Sequence, residues 1–320
     1  MSNYHPASNH ITLQKWQPFL RAHPRSTVDA RIDLLKLLCD RESAAHIDCF
    51  IDRVFAQPDV RLREYFKIDF RSIAEMTRPG SLEGIVKDYP KLDTNKLLKD
   101  YDLSQVDIAS NFIRPENFLF HSGLKLIPNA SELLSGRAIL DGGAYRGESA
   151  AVFRKNYPDC AVHAFEPGDA NYDALTWMSE NTLYGKGVVP VKMGLAAKSS
   201  RASMGNSGHG TSVIQDAQGK LQLTSIDDYA KAVGLEAGCI KLDIEGAEKA
   251  AIEGAQDVIK ENRPILLISI YHTPEDFLDI APMIHAWDLG YRLKVRHLHP
   301  QLTSFFGEFM LIATPDGKNP

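Results

Sequence analysis

The segment Arg137-Ala138-Ile139-Leu140-Asp141-Gly142-Gly143-Ala144-Tyr145-Arg146-Gly147-Glu148 constrains the fold of this chain more than any other. Its first part is a short apolar run, long enough for a buried strand and too short for a helix. Asp141 ends the run, and Gly142, Gly143 and Gly147 follow before a helical pattern begins at Ser149. A strand, a glycine-rich turn and a helix N-terminus together let a ligand approach the backbone closely and meet unpaired N–H groups, which predicts a nucleotide-type site. The spacing excludes a dinucleotide fingerprint, because Gly-x-Gly-x-x-Gly needs a glycine two places after the first, where Ala144 and Tyr145 stand. What is present is Asp-x-Gly-x-x-x-Gly, carried by Asp141, Gly143 and Gly147.

That pattern is similar to the first motif of S-adenosylmethionine-dependent methyltransferases. A second carboxylate agrees with it. Ala161 to Phe165 is another short apolar segment ended by Glu166, before Pro167 and Gly168. An acid at the end of the second strand is placed to accept two ribose hydroxyls. Asp141 is then expected near the amino-acid part of the cofactor, at its ammonium group. The alternative is that both are ordinary strand-end acids, solvated or capping helices; the glycines between them favour the cofactor. The expected binding set is Asp141, Gly142, Gly143, Ala144, Gly147, Glu148, Glu166 and Asp243, with Gly194 and Leu195, after the third strand, against the adenine.

The alternation of apolar runs and helical patterns predicts an α/β chain with a parallel sheet and right-handed crossovers. Expected strands follow at Val188 to Val191, Leu221 to Ile226, Cys239 to Leu242, Pro264 to Ile270, Tyr291 to Val295 and Phe305 to Ala313. Gly205 to Ser212 is glycine-rich without the Gly-Lys-Ser/Thr ending of a phosphate loop, and is expected to be a flexible loop, a candidate lid. The N-terminal third has helical periodicity at Thr27 to Cys39, Ser43 to Ala56, Arg61 to Met76 and Ser81 to Tyr89. The expected division is residues 1–115, a helical region for packing, homodimerisation or covering the substrate, and residues 116–320, the catalytic domain.

With 44% hydrophobic and 24% charged residues the chain can bury a sizeable core, and a net charge of −5 without a basic stripe argues against a nucleic-acid partner. The four cysteines lack metal-ligand spacing, which suits reduced thiols in the cytoplasm. The polar residues 1–10 lack the apolar core of a signal peptide. No apolar run approaches the roughly 20 residues of a membrane span.

A second dense site is Lys241-Leu242-Asp243-Ile244-Glu245-Gly246-Ala247-Glu248, again an apolar strand ending in a carboxylate. In open parallel sheets ligands lie outside the strand C-termini, so Asp141, Glu166, Asp243, Glu245, Tyr271, His272 and His297 should share one rim. His121, in an aromatic run, could line the pocket from the side. A neutral hydroxyl is a poor nucleophile, and a histidine with an ordinary pKa of about 6.5 is suited to remove its proton. His272 is the first candidate base and His297 the second, with Asp243 orienting the histidine or holding the cofactor. Asp243, Glu245, His272 and His297 could alternatively bind a divalent metal that acidifies the acceptor; surface or core histidines are the plain alternative.

Ile139 to Ala144, Ala164-Phe165-Glu166-Pro167, Thr224 to Asp228, Ile240 to Glu248 and Arg263-Pro264 stand in the order seen in FkbM-family methyltransferases, which the chain resembles over residues 120–313. The resemblance implies a Rossmann-like seven-stranded methyltransferase sheet with helices on both faces and an antiparallel last strand. It also implies S-adenosyl-L-methionine as cofactor and O-methylation of a hydroxyl on a small-molecule or oligosaccharide acceptor, a sugar or glycan precursor first. A polyketide, macrolide or lipid-type hydroxyl, or a non-catalytic cofactor-binding scaffold, are the alternatives. Gly142 and Arg146 depart from the family pattern, and Arg146 is a candidate contact to the cofactor carboxylate or an acidic acceptor.

Overall fold

Short runs buried on both sides build the centre of the sheet, and the longer amphipathic runs cover it. The computed structural model describes residues 7–55, 93–106, 108, 114–207, 210–215, 218–298 and 307–316. The elements run α1 (Ala7–Ala22), α2 (Arg25–Leu38), α3 (Arg41–Phe55), α4 (Thr94–Asp100), α5 (Pro115–Phe120), α6 (Ala130–Leu134), β1 (Ala138–Gly142), α7 (Glu148–Asn156), β2 (Val162–Phe165), α8 (Asp169–Asn181), β3 (Val188–Val191), β4 (Gly194–Leu195), β5 (Ser200–Ser207), β6 (Gly210–Gln215) and β7 (Leu221–Thr224). They continue with α9 (Ile226–Val233), β8 (Ala237–Leu242), α10 (Glu248–Glu253), α11 (Gln256–Asn262), β9 (Ile265–Ser269), α12 (Pro274–Ala286), β10 (Tyr291–His297) and β11 (Phe309–Pro315).

Seven strands form one sheet in the order β10-β11-β9-β8-β1-β2-β3. All neighbours are parallel except β11, which runs antiparallel between β9 and β10. Every residue of β1, β8 and β9 is buried, as a central parallel sheet covered on both faces requires. Successive side chains take opposite faces. Leu140, Ile240 and Ile268 join one core, while Ile139, Cys239 and Leu267 join the other with Phe118, Phe153 and Leu175. β4, β7, β5 and β6 make a smaller second sheet.

The stretch expected as a flexible loop is therefore paired backbone: β5 and β6 form an antiparallel hairpin from Ala202↔Gln215 to Ser207↔Gly210. The strand expected to reach Ile226 stops at Thr224, because the Ser225 side chain accepts the Asp228 N–H and caps α9. The helices expected at Arg61 to Met76 and Ser81 to Tyr89 lie outside the described residues. Among the described residues no helix is long and apolar enough to cross a membrane.

The helices α1 to α3 enter the core of the sheet. In α2, Val28, Ile32 and Leu35 are buried at helical spacing. Trp16 meets Phe50 and Phe277 edge-on at 5.6 and 5.9 Å between centroids, and Phe50 stacks on Phe277 at 4.3 Å. Arg296 on β10 pairs with Asp40 and Glu42 at 2.6 and 2.7 Å, and Val295 N–H donates to Ser43 Oγ at 2.8 Å. Removing the Trp16 side chain should cost about 3–5 kcal/mol, as for a large aromatic in a packed core. Thermal unfolding of Trp16→Ala should fall in midpoint yet remain one transition by far-UV dichroism and fluorescence. An early separate helical transition would show that these helices stand on a core of their own.

Candidate active site

A cleft opens at the carboxyl rim of β1, β2 and β8. Its floor is Gly143, Ala144 and Tyr145 after β1. One wall is Phe165, Glu166 and Pro167 with Met193, Gly194 and Leu195, and the other is Asp243, Ile244, Glu245 and Ala247 with Arg114 and Asn117. Glu148, Ser149, Asn171 and Lys241 complete it.

The glycine turn is held from beneath. Asp141 and Lys241 are register partners on β1 and β8, so their side chains leave the same face. Lys241 Nζ lies 2.9 Å from Asp141 Oδ1 and donates to the carbonyls of Gly142 and Gly143 at 3.2 and 3.1 Å, which accounts for the three donors of one ammonium. Ser149 Oγ donates to Asp141 Oδ2 at 2.6 Å. Burial works against the Lys241 charge, but Asp141 and Asp243 outweigh it and raise its pKa. Asp141 is fully buried and does not line the cleft. The expectation that it meets a cofactor ammonium is therefore corrected, because its oxygens are committed to Lys241 and Ser149.

The three glycines have separate jobs. Gly143, at φ +75°, passes so close to β8 that a Cβ would stand 1.9 Å from the Asp243 carbonyl oxygen, which forbids any side chain. Gly142 packs under Leu195 and Leu242, and Gly147 lets α7 approach Met178 on α8. Neither of these two lines the cleft, so of the expected glycines only Gly143 and Gly194 do.

Two carboxylates do face the cleft here. Glu166 Oε1 accepts the Gly168 N–H at 2.8 Å; burial raises its pKa, against the pull of Gly168 and Asn171. Glu148, in the first turn of α7, is 3% exposed, and its Oε2 has no hydrogen-bond partner. Burial pushes its pKa to about 7 despite its backbone hydrogen bond and the pull of Lys241 and Arg114. A buried carboxylate with a free oxygen is a site for a cation or a donor.

The β8 turn is clamped by Glu248, whose two oxygens accept the N–H groups of Ile244 and Gly246 at 2.7 and 2.8 Å. His272 Nδ1 lies 2.8 Å from Glu248 Oε1, and its Nε2 lies 3.5 Å from Asp243 and 3.7 Å from Glu245. Burial opposes charge on this ring, but Glu248, Glu245 and Asp243 overcome it and raise the pKa to about 10. At neutral pH His272 is thus an imidazolium, without the lone pair a general base needs, and it does not line the cleft. Asp243 does line it. Burial would raise the Asp243 pKa, but His272, Lys241 and Arg114 hold it below the usual range, and the Tyr271 hydroxyl donates to Asp243 Oδ1 at 3.3 Å. The carboxylate of Asp243 thus faces the cleft, and the His272 ring stands behind it at 3.5 Å.

Asp243, Glu248 and His272 each offer a ligand atom within 4.8 Å of the others, a cluster that could hold a cation. Glu245 adjoins it, but His297 does not. His297 stacks on Phe309 at 4.4 Å, and its N–H donates to His46 Nδ1 at 3.3 Å, on β10 beyond β9 and β11. His121 bonds Tyr157 Oη at 3.1 Å, and Arg146 donates to Asn171 Oδ1 at 3.2 Å; neither lines the cleft. His299 lies outside the described residues. Arg114 and Asn117, which do line it, carried no local sequence signal, since Arg114 is set by Glu308 at 3.1 Å, far away in the chain.

The sheet, with its antiparallel last strand, and the cleft at its carboxyl rim make an α/β protein with a Rossmann-like methyltransferase-type fold. Residues 141–293 match the family described as the methyltransferase FkbM domain. No curated protein matches it. Among solved structures it is similar to methyltransferase FkbM from Methylobacillus flagellatus KT, with 22% identity over 80% of this chain and 62% of that one and a TM-score of 0.48. The chain thus spans under two thirds of that protein's length. It is also similar to an O-methyltransferase from Bacillus cereus in complex with SAH (12% identity, 73% of this chain, 96% of that one, TM-score 0.42). A third likeness is to the O-methyltransferase TomG from Streptomyces achromogenes in complex with SAM (10% identity, 79% and 99%, TM-score 0.40).

The His272 charge can be measured. Its folded pKa of about 10 lies above the ordinary 6.5, so its contribution to stability is complete below about pH 6.5 and is lost as pH rises through 10. NMR titration of the ring should find it charged at pH 8, and Glu248→Gln should bring the midpoint down by a unit or more, roughly. A wild-type midpoint near 6.5 would overturn the assignment.

Proposed function

We propose that the protein transfers a methyl group from S-adenosylmethionine to a hydroxyl of a sugar or glycan precursor. The observation that carries the reading is the pair of cleft-facing carboxylates on either side of the Gly143 turn, Glu166 at the end of β2 and Glu148 with its unpartnered buried oxygen. A ligand bearing a diol and an ammonium fits that pair. Gly194 and Leu195, beside Met193 and Phe165, offer an apolar slot for a base.

When bound, the cofactor supplies an electrophilic methyl group on a sulfonium, transferred by in-line displacement. The chain aligns the reactants and takes the released proton. Glu166 would hold the ribose, Glu148 would pair with the ammonium, and Gly143 and Ala144 would let the ligand lie against the backbone. Asp243 accepts the proton that leaves the acceptor hydroxyl as the new C–O bond forms and the C–S bond breaks. His272 and Tyr271 keep that carboxylate ionised and fixed. The cysteine spacing, without a metal-ligand pattern, supports a cytoplasmic setting.

Calorimetry with S-adenosylmethionine and S-adenosylhomocysteine tests the cofactor; no heat with either would refute it. Glu148 must be ionised to meet an ammonium, so affinity should rise up to about tenfold per pH unit below its pKa and level off above about 7. Glu148→Gln should flatten that dependence. Asp243→Asn should lower kcat by about 10²–10⁴, the usual contribution of a general base, with cofactor affinity within a few-fold. Unchanged turnover in this variant would remove Asp243 from the proton path.

A further inference from the structure

We infer that the acceptor end of the cleft selects neutral or cationic hydroxyl compounds, with amino sugars the best fit, over anionic ones, and that Glu245 sets this preference. The inference rests on the methyl-transfer reading and names the charge class of its acceptor. The strand order divides the cleft. Phe165, Glu166, Met193 and Leu195 stand over β2 and the β3–β4 connection, on the cofactor side, whereas Asp243 and Glu245 follow β8, with Arg114 and Asn117 beside them.

The charges at that end are unequal in what they can offer a ligand. Among the described residues two cations line the cleft, the buried Lys241 and Arg114, whose side chain is 45% exposed. Lys241 is spent on Asp141 and two carbonyls, and Arg114 is paired with the buried Glu308 at 3.1 Å. Glu116, also buried, stands beside that pair with one oxygen unpartnered. The His272 imidazolium faces Glu248, Asp243 and Glu245 from behind the wall. Lys15, on α1 at the rim, donates to the Glu245 carbonyl at 3.3 Å. Against these stand Asp243, ionised at the cleft wall, and Glu245, whose side chain is 47% exposed and whose carboxylate lies 3.7 Å from His272 Nε2. An anionic acceptor would meet the carboxylates of Asp243 and Glu245, and the one partly exposed cation, Arg114, is already shared with the buried Glu308, while an ammonium near the reacting hydroxyl would meet Glu245 directly. Such discrimination comes from repulsion of the wrong partner as much as attraction of the right one.

The test uses the full chain with saturating S-adenosylmethionine and panels of hexoses, hexosamines, uronic acids and hexose phosphates, with methylated product read by mass spectrometry. At pH 7 and low salt, kcat/KM for hexoses and hexosamines should exceed that for uronic acids and phosphates by about tenfold or more, the scale of one like-charge contact at intermediate dielectric. Glu245→Lys should shrink that ratio at least about fivefold, and added salt should shrink it in the wild type. The cofactor dissociation constant of the variant should stay within about threefold. A wild-type preference for uronic acids or phosphates, or a ratio untouched by Glu245→Lys, overturns the inference. Cofactor binding with no transfer to any panel overturns the glycan-hydroxyl reading and this inference with it; absence of cofactor binding overturns the methyl-transfer reading itself.

Discussion

The Asp141–Lys241 contact fixes the two turns between which the cleft lies. Both residues are nearly inaccessible, so each loses hydration that only good geometry returns. The return is complete on the lysine side, where one ammonium meets a carboxylate and two carbonyls of the glycine turn. The pair ties β1 to β8 at the point where each strand ends. Loss of one partner would leave the other charge buried and alone, a change that typically costs about 3–5 kcal/mol. Gly143 completes the junction from the other side, because its missing side chain lets the Asp243 carbonyl pass.

The second turn repeats the device with different groups. Glu248 satisfies two backbone N–H groups of its own turn and carries the charge that keeps His272 protonated. The positive φ of Glu245 and Gly246 is thereby held by a carboxylate fully inside the protein. At each strand end one acid is spent beneath the rim and another is left facing the cleft: Asp141 beneath Glu148, and Glu248 behind Asp243. Asp243 is held at its own oxygen by Tyr271 and faced by His272, whereas one oxygen of Glu148 has no hydrogen-bond partner.

That division also explains what the sequence shows and hides. The strands are legible because buried runs between helical patterns have few other solutions, and the glycine turn is legible because only glycine tolerates its geometry. Which strand-end acid faces a ligand is not legible. Asp141 looks like a ligand acid until its register with Lys241 turns it inward, and that register belongs to the pairing of β1 with β8. His272 looks like a base until Glu248 comes within 2.8 Å of it. His297 stands at a strand end as expected, but β10 is separated from β8 by two intervening strands, so the same local feature arrives at a different part of the rim. The Arg114–Glu308 pair and the entry of Trp16 into the sheet core join distant segments and leave no local pattern.

On the methyl-transfer reading, the surplus of carboxylate at the cleft bears on the whole cycle. S-adenosylmethionine carries a sulfonium, an ammonium and a carboxylate, and its demethylated product lacks only the sulfonium charge. An enclosure that stabilises the first by charge must hold the second less tightly by the same interaction. The acceptor hydroxyl gives up a proton as the sulfonium charge vanishes, and Asp243 can take it because the His272 imidazolium behind it is too firmly protonated to compete for it. A neutral histidine at that position would draw the proton inward and leave a charged ring among three carboxylates after each turnover. With His272 charged throughout, the proton stays at the cleft surface, where solvent can remove it.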